Sequence, residues 1–293
     1  MRRTRGLALA IVPTLLIAVG CAPTDESSGS GSSDAPTSSA SATSCGPGNP
    51  ALKQAGMLTV GTDSPAYDPW FAKNDPTNGQ GFESAVAYAV AKQLGFPRSK
   101  VTWVKVPFNS SYAPGAKKFD VDINQISITK ARAKVVDFSA GYYSAAQAVI
   151  ALKGSKAAGT SSLAALKKLK LGAQTGTTSL EAINDVIKPS AHPLVYDDTN
   201  QAKQSLLNGQ VQAILADLPT AFYITAAEIQ KGTIVGQFQP ETGQQEKFGM
   251  LLEKGSKLTP CVDTALAALR KDGTLAGLEK RWLSDVVDVP VLK

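Results

Sequence analysis

The chain has 293 residues, 43% hydrophobic and 18% charged, enough for one large or two medium globular domains. Its net charge of +6 falls to +3 once Arg2, Arg3 and Arg5 at the very start are set aside, and no Lys/Arg-rich run remains, which excludes nucleic-acid binding by charge. One histidine, His192, excludes histidine metal clusters and leaves little room for a Ser-His-Asp triad.

Residues 7–19 are apolar, follow the basic start and end at Gly20-Cys21. This is the pattern of a secretory signal over residues 1–20, too short and wrongly flanked for a membrane span. Cys21 after a small residue resembles a lipoprotein processing site, with Ala18 where Leu is preferred. Residues 22–44 carry nine serines among Thr, Ala, Gly, Pro and acids, and cannot bury a core. Residues 21–44 are therefore expected to be a lipidated cysteine and a flexible tether with a reach of about 25–30 Å. The alternative is plain signal cleavage, with Cys21 lost. Export implies an oxidising compartment, so the remaining pair, Cys45 and Cys261, is expected to form a disulfide. Its long loop would add roughly 4–5 kcal/mol in the chain-entropy account.

Residues 57–62 read as a buried strand ending in the turn Thr62-Asp63-Ser64-Pro65. Tyr67, Trp70 and Phe71 follow among prolines. An aromatic loop after a strand either lines a ligand site or plugs the edge of the core. Residues 81–95 place Phe82, Val86, Ala89, Val90 and Leu94 at helical spacing, with Gly95 as the stop. Glu83 sits near the positive end of that helix and is expected to serve it there. Residues 101–106 form a second strand, and a Pro/Gly/Asn/Ser-rich connection over 107–120 leads to a third, through Asn124.

From Gln125 the strand turns polar and basic at Ser127, Thr129, Lys130, Arg132 and Lys134. Hydroxyls beside an arginine fork suit a carboxylate; a strand, a turn and a solvated helix start is the structural alternative. Residues 145–152 form another strand, broken at Lys153-Gly154-Ser155, where the chain is expected to cross into a second lobe. There a short helix over 161–169 and a strand over 170–174 lead to Thr175-Gly176-Thr177-Thr178-Ser179, which opens a helix to 187. Such a helix start is either an anion site or an ordinary N-cap. A helix over 199–208 and a strand over 211–217 follow, the strand ending at Asp217 just before a Leu-Pro helix start. Strands over 233–239 and 247–253 and a helix beginning at Thr259-Pro260 complete the chain.

Ser127, Thr129, Arg132, Val136, Asp137, Phe138, Ser139, Tyr142 and Tyr143 together resemble the signature S-x-T-x-x-R-x-x-x-V-D-F-S-x-P-Y-Y of the family 3 extracellular solute-binding proteins, the amino-acid receptors of ABC importers. Gly141 replaces the Pro. The resemblance spans roughly residues 55–285 and extends to Gly81-Phe82-Glu83, to Gly176-Thr177-Thr178, to the strand ending at Asp217, where Gln212 replaces an Asp, and to the stretch from Asp272 to Trp282.

It implies an α/β, two-lobed, type II periplasmic-binding-protein-like fold, each lobe a mainly parallel sheet flanked by helices. Residues 45–150 with 243–293 would form lobe 1, and 151–242 lobe 2. The implied protein is monomeric, binds a polar amino acid or related zwitterion, and passes it to an ABC transporter permease. It would need no cofactor and no metal, and would stand on the outer face of the cell membrane through lipid on Cys21. The implied ligand set puts Arg132, Ser127, Gly176, Thr177 and Thr178 on the carboxylate and Asp217 on the ammonium. Tyr67 and Trp70 would meet the side chain, Asp63 the rim, and Gln125, with Asn124, would read polar groups. The enzyme alternative on this fold is a cyclohexadienyl-dehydratase-like activity, which needs a carboxylic acid against a ring substrate; the sequence offers no dedicated candidate. Mass spectrometry of the membrane fraction should find a mature N-terminus at lipid-bearing Cys21. Any other N-terminus, or an unmodified Cys21, refutes the anchor.

Overall fold

The computed structural model describes residues 45–240, 245–283 and 289–293. The expected signal, tether and Cys21 lie outside these. In chain order, the first lobe contains β1 (Leu58–Thr62), α1 (Phe82–Gln93), β2 (Val101–Lys105), α2 (Phe108–Ser111), β3 (Val121–Asp122), α3 (Lys130–Ala133) and β4 (Asp137–Phe138). After β5 (Tyr143–Ala145) come β6 (Gln147–Leu152), α4 (Leu163–Leu166), β7 (Leu171–Gln174), α5 (Thr178–Ala182), β8 (Leu194–Tyr196), α6 (Thr199–Leu207), β9 (Ala213–Asp217), α7 (Leu218–Tyr223) and β10 (Gly232–Phe238). The chain returns through β11 (Glu246–Phe248) and β12 (Leu251–Leu252) to α8 (Thr259–Lys271) and α9 (Thr274–Leu283).

The first sheet has the order β2-β1-β3-β12-β4 and the second β10-β6-β9-β7-β8. In each, a parallel half built by strand-helix-strand units meets an antiparallel half made where the chain crosses between lobes. β1 is buried along its whole length, as a central strand covered on both faces must be. Phe82, Val86 and Val90 of α1 press on it, beside Trp70, Phe71 and Phe248. Each such side chain contributes roughly 1.5–3 kcal/mol by leaving water.

β5 and β11 pair antiparallel, Tyr143 opposite Phe248 and Ala145 opposite Glu246, and these two strands join the lobes. The crossing lies earlier than the residue 150 expected from sequence. Gln147 already pairs with Asp217 and with Phe238, so β6 belongs wholly to the second sheet. Residues 289–293 also lie on the second lobe rather than the first: Gln237 donates to the Pro290 carbonyl at 2.8 Å and accepts from the Leu292 N–H at 2.8 Å. This covers the open edge of β10, and Leu292 fits because Gly236 has no Cβ, which would lie 2.6 Å from Leu292 Cγ.

Cys45 and Cys261 form the expected disulfide, with Cα atoms 5.5 Å apart, tying the start of the described chain to α8. Among the described residues no helix is long and apolar enough to cross a membrane. A protein lacking Cys21 should show no thiol reactive in denaturant until a reductant is added, and reduction should lower its melting temperature. Two free thiols before reduction would refute the bridge.

Candidate functional site

Between the lobes lies a cavity of about 60 Å³, whose wall includes Asp63, Tyr67 and Gln125 of the first lobe and Thr177, Thr178 and Asp217 of the second. Sites for small molecules usually measure roughly 300–1,000 Å³, so the lobes are closed on one another. Six sequence-predicted residues thus meet on one cavity. Phe108, Gln174, Thr199 and Thr220, which no sequence motif marks, share the wall. Asn124 lines it too, and its buried Nδ2 has no hydrogen-bond partner among the described residues.

Ser127, Arg132, Gly176 and Trp70 do not line it, and Trp70 belongs to the core. Its ring is fully buried in the lobe 1 core, edge-on to Phe82, Tyr143 and Phe248 at 5.5–6.0 Å. It reaches the cleft only through its indole N–H, which donates to Thr220 Oγ1 of the second lobe at 2.8 Å. The core-plug alternative is therefore the one the fold adopts for Trp70, whereas Tyr67 stays on the cavity wall.

Arg132 sits just behind that wall, 6% exposed. Thr129 caps the four-residue α3 by accepting from the Arg132 N–H at 3.2 Å. The guanidinium then turns back over the Tyr112 ring, 4.6 Å from its centroid, and stands 5.7 Å from that of Phe108. Nη1 donates to the Ser127 carbonyl and Nη2 to the Gly176 carbonyl of the other lobe, each at 2.8 Å. The Tyr112 hydroxyl stands 3.1 Å from the same Gly176 carbonyl and shares its one proton between it and Asn109 Oδ1 at 2.6 Å. The Gly176 φ of +70°, with Asn109 Oδ1 2.0 Å from the place of a Cβ, leaves glycine as the residue that fits. Burial lowers the Arg132 pKa, and among the described residues no carboxylate forms an ion pair with it.

Asp217 is the opposite case. It occupies the N-cap position of α7 without capping it, so its carboxylate is directed elsewhere. Burial, and next the Glu246 carboxylate, raise its pKa well above the usual range. No lysine or arginine among the described residues pairs with it; its partner is Gln147 Nε2 at 3.2 Å. Thr177 does cap: it accepts from the Leu180 N–H at 3.2 Å and donates to the Gln174 carbonyl at 2.7 Å. Asp63 accepts from the Phe108 N–H at 3.0 Å, which pins the loop below Arg132. A larger, open depression of about 670 Å³ adjoins the cavity at Thr178, but neither Arg132 nor Asp217 lines it.

Glu83 serves a different end from the helix-terminus role expected of it. Its carboxylate, fully buried, accepts from the Gln125 N–H at 2.7 Å, from the Gln125 side-chain amide and from the Tyr142 hydroxyl. These bonds hold Gln125 at φ +48°, a left-handed conformation uncommon outside glycine, and so fix how it meets the cavity.

Residues 58–285 match the family of bacterial extracellular solute-binding proteins, family 3. The L-cystine-binding protein TcyJ of Escherichia coli K12 is 30% identical over 235 residues, which cover 79% of this chain and 84% of that protein. Among solved structures, an ancestral arginine-binding protein bound to arginine is 34% identical with a TM-score of 0.66, covering 78% of this chain and 98% of that one. An ancestral amino acid-binding protein that is a precursor of cyclohexadienyl dehydratase is 31% identical with a TM-score of 0.64, covering 78% and 95%.

The buried Glu83 gives the site a pH signature. Burial pushes its carboxyl up from 4.5 to about 7, against the pull of its Tyr142 and Gln125 donors. The folded chain therefore holds a proton that the unfolded chain has released. The stability this confers is whole below pH 4.5 and is lost as the pH rises to about 7. Relative to Glu83→Gln, wild-type stability in denaturant melts should fall by about 3 kcal/mol over that window. Parallel profiles for the two proteins would refute the assignment.

Proposed function

Because the chain belongs to the bacterial extracellular solute-binding proteins of family 3, we propose that it is the substrate-binding component of an ABC importer and takes an L-amino acid between its lobes. The observation that carries this reading is a pair of unmatched charges. Arg132 on the first lobe is buried and Asp217 on the second is half-buried on the cavity wall; they are opposite in sign, and neither has an ion-pair partner among the described residues. A zwitterion with carboxylate and ammonium on one carbon answers both at once. A sugar answers neither, and an inorganic anion meets Asp217 as a like charge. Opening the lobes breaks the Arg132–Gly176 contact and turns that edge of the guanidinium to the ligand's carboxylate; closing returns both lobes to it.

In this reading Tyr67, Asn124 and Gln125 face the ligand side chain, Thr177 and Thr178 supply the second-lobe wall, and the protein acts as a monomer held by lipid on Cys21. The enzyme alternative would employ Asp217, whose raised pKa suits a proton donor. The uncompensated Arg132 favours a held ligand, since a bound carboxylate and ammonium neutralise both groups without any reaction.

A thermal-shift screen against all common L-amino acids and L-cystine tests the reading, with sugars, oxyanions and prephenate as controls. A ligand at 100 times its Kd adds about 2.7 kcal/mol of stability, visible as a clear rise in melting temperature. Arg132→Ala should weaken the response by roughly 2–5 kcal/mol of binding while leaving the ligand-free protein folded. Unchanged affinity in that variant, a response confined to sugars or oxyanions, or turnover of prephenate would each overturn the proposal.

A further inference from the structure

Glu83 and Gln125 meet where the first lobe's core borders the cavity. Three donors converge on the buried Glu83 carboxylate: the Gln125 N–H and the Tyr142 hydroxyl on Oε1, and Gln125 Nε2 on Oε2. Gln125 also lines the cavity, and nothing among the described residues donates to its side-chain oxygen. With its nitrogen held by Glu83, the amide presents that oxygen to the cavity. Beside it on the same wall, Asn124 Nδ2 is buried and finds no acceptor among the described residues. The wall thus offers a ligand side chain one donor and one acceptor.

An ionised carboxylate only accepts, which suits three donors, whereas a protonated one has a proton of its own to place. On Oε1 that proton meets the Gln125 backbone N–H, which cannot turn away, or the Tyr142 hydroxyl, whose own proton has no second acceptor among the described residues. On Oε2 it meets the Gln125 amide. A half turn about that side chain's last torsion, which is close to two-fold, brings the amide oxygen round to accept it. The Gln125 N–H groups then face the cavity. Burial lifts the Glu83 carboxyl to about 7, so both states are reached near neutral pH. The other titratable groups around it are Tyr142, Asp122 and Asp217. Burial holds the Tyr142 phenol well above its ordinary value and both aspartates well above the usual carboxylate range, and the charge of Glu83 adds to each.

We propose that Glu83 is a positioning residue that switches the hydrogen-bonding sense of Gln125. With Glu83 ionised, the wall pairs the Asn124 donor with the Gln125 oxygen and takes a side-chain carboxamide; with Glu83 protonated, it shows two donors and takes a side-chain carboxylate. This rests on the amino-acid reading given above.

L-Glutamine and L-glutamate differ only in that side-chain group, and the glutamate side chain stays mainly ionised above about pH 5.5. Their dissociation constants are measured by calorimetry from about pH 5.5 to about pH 8.5 in wild type, Glu83→Gln and Gln125→Gly, and the preference between them is read within each protein. Both ligands carry the same ammonium and carboxylate, so titration of Asp217 cancels in that ratio, as does any loss of folded material. Glu83→Gln mimics the protonated acid. Gln125→Gly removes the amide at a position whose φ of +48° glycine accepts. In wild type the preference should move toward glutamate by roughly tenfold or more as the pH falls, the size of one hydrogen bond to a charged group. In both variants it should stay flat. A preference that does not move in wild type, or moves as much in Glu83→Gln, overturns the inference. One that still moves in Gln125→Gly makes Glu83 a remote charge rather than a switch, and overturns it as well. Wild type that binds other L-amino acids but neither of these two overturns this inference alone. Wild type that binds no L-amino acid overturns the proposed function, and this inference with it.

Discussion

A guanidinium enclosed in protein has to be answered by something, because removing its water costs several kcal/mol. In this chain the answer for Arg132 is incomplete. Two carbonyl dipoles and two aromatic rings replace part of its hydration, and no carboxylate among the described residues completes it. Much of the first lobe's inner face is arranged for this one group. The Thr129 cap starts the short helix that aims it, α2 brings Phe108 and Tyr112 under it, and Asp63 fixes the loop that carries Phe108. One of the two carbonyls belongs to Gly176 on the opposite lobe, so the same residue that lacks a counter-charge also holds the cleft shut.

The topology makes such an arrangement reversible. Each lobe has its own sheet and its own buried core, so neither depends on the cleft for stability. Two strands join them, β5 and β11, hydrogen-bonded to each other over three residue pairs. A joint of this kind bends with small changes spread over few residues while both cores stay intact. The cleft can therefore contain strained and under-satisfied groups, among them Gln125 at positive φ and Asn124, whose amide nitrogen has no partner among the described residues, without endangering the fold.

The alternation of strand and helix and the disulfide were legible in the sequence, and the family resemblance named Asp63, Tyr67, Gln125, Thr177, Thr178 and Asp217, which line one cavity. They follow from local pattern, cysteine parity and a motif. What was not legible depends on partners distant in the chain. An aromatic loop reads the same whether a ring faces ligand or core, and Trp70 is decided by Tyr143 and Phe248, far along the sequence. Glu83 looks like a helix-terminus acid until β3 and the loop after it bring Gln125 to its carboxylate. Gln147 and Glu246 lie in strands whose alternation marks them only as polar positions. Their importance comes from the crossing itself, which brings them beside Asp217 and Thr178. The crossing point is hidden in the sequence for a related reason: β5 and β6 run on almost without a break, and only their partners show that they belong to different sheets.

The closed cleft also explains how a receptor of this kind would discriminate. Neutral contacts already cross it: Trp70 to Thr220 and Tyr112 to Gly176. Each contributes about 0.5–1.5 kcal/mol, and both are available to the empty protein. They favour closure without selecting a ligand, because a ligand shifts an equilibrium only by what it does differently in the two states. What opposes empty closure is the desolvation of Arg132 and Asp217, which open lobes would return to water. A zwitterion removes both penalties together, whereas an amine or an acid alone removes one and leaves the other charge enclosed and unanswered. Selectivity for the zwitterion then resides less in the contacts it makes than in the two charges that closure would otherwise leave unmatched.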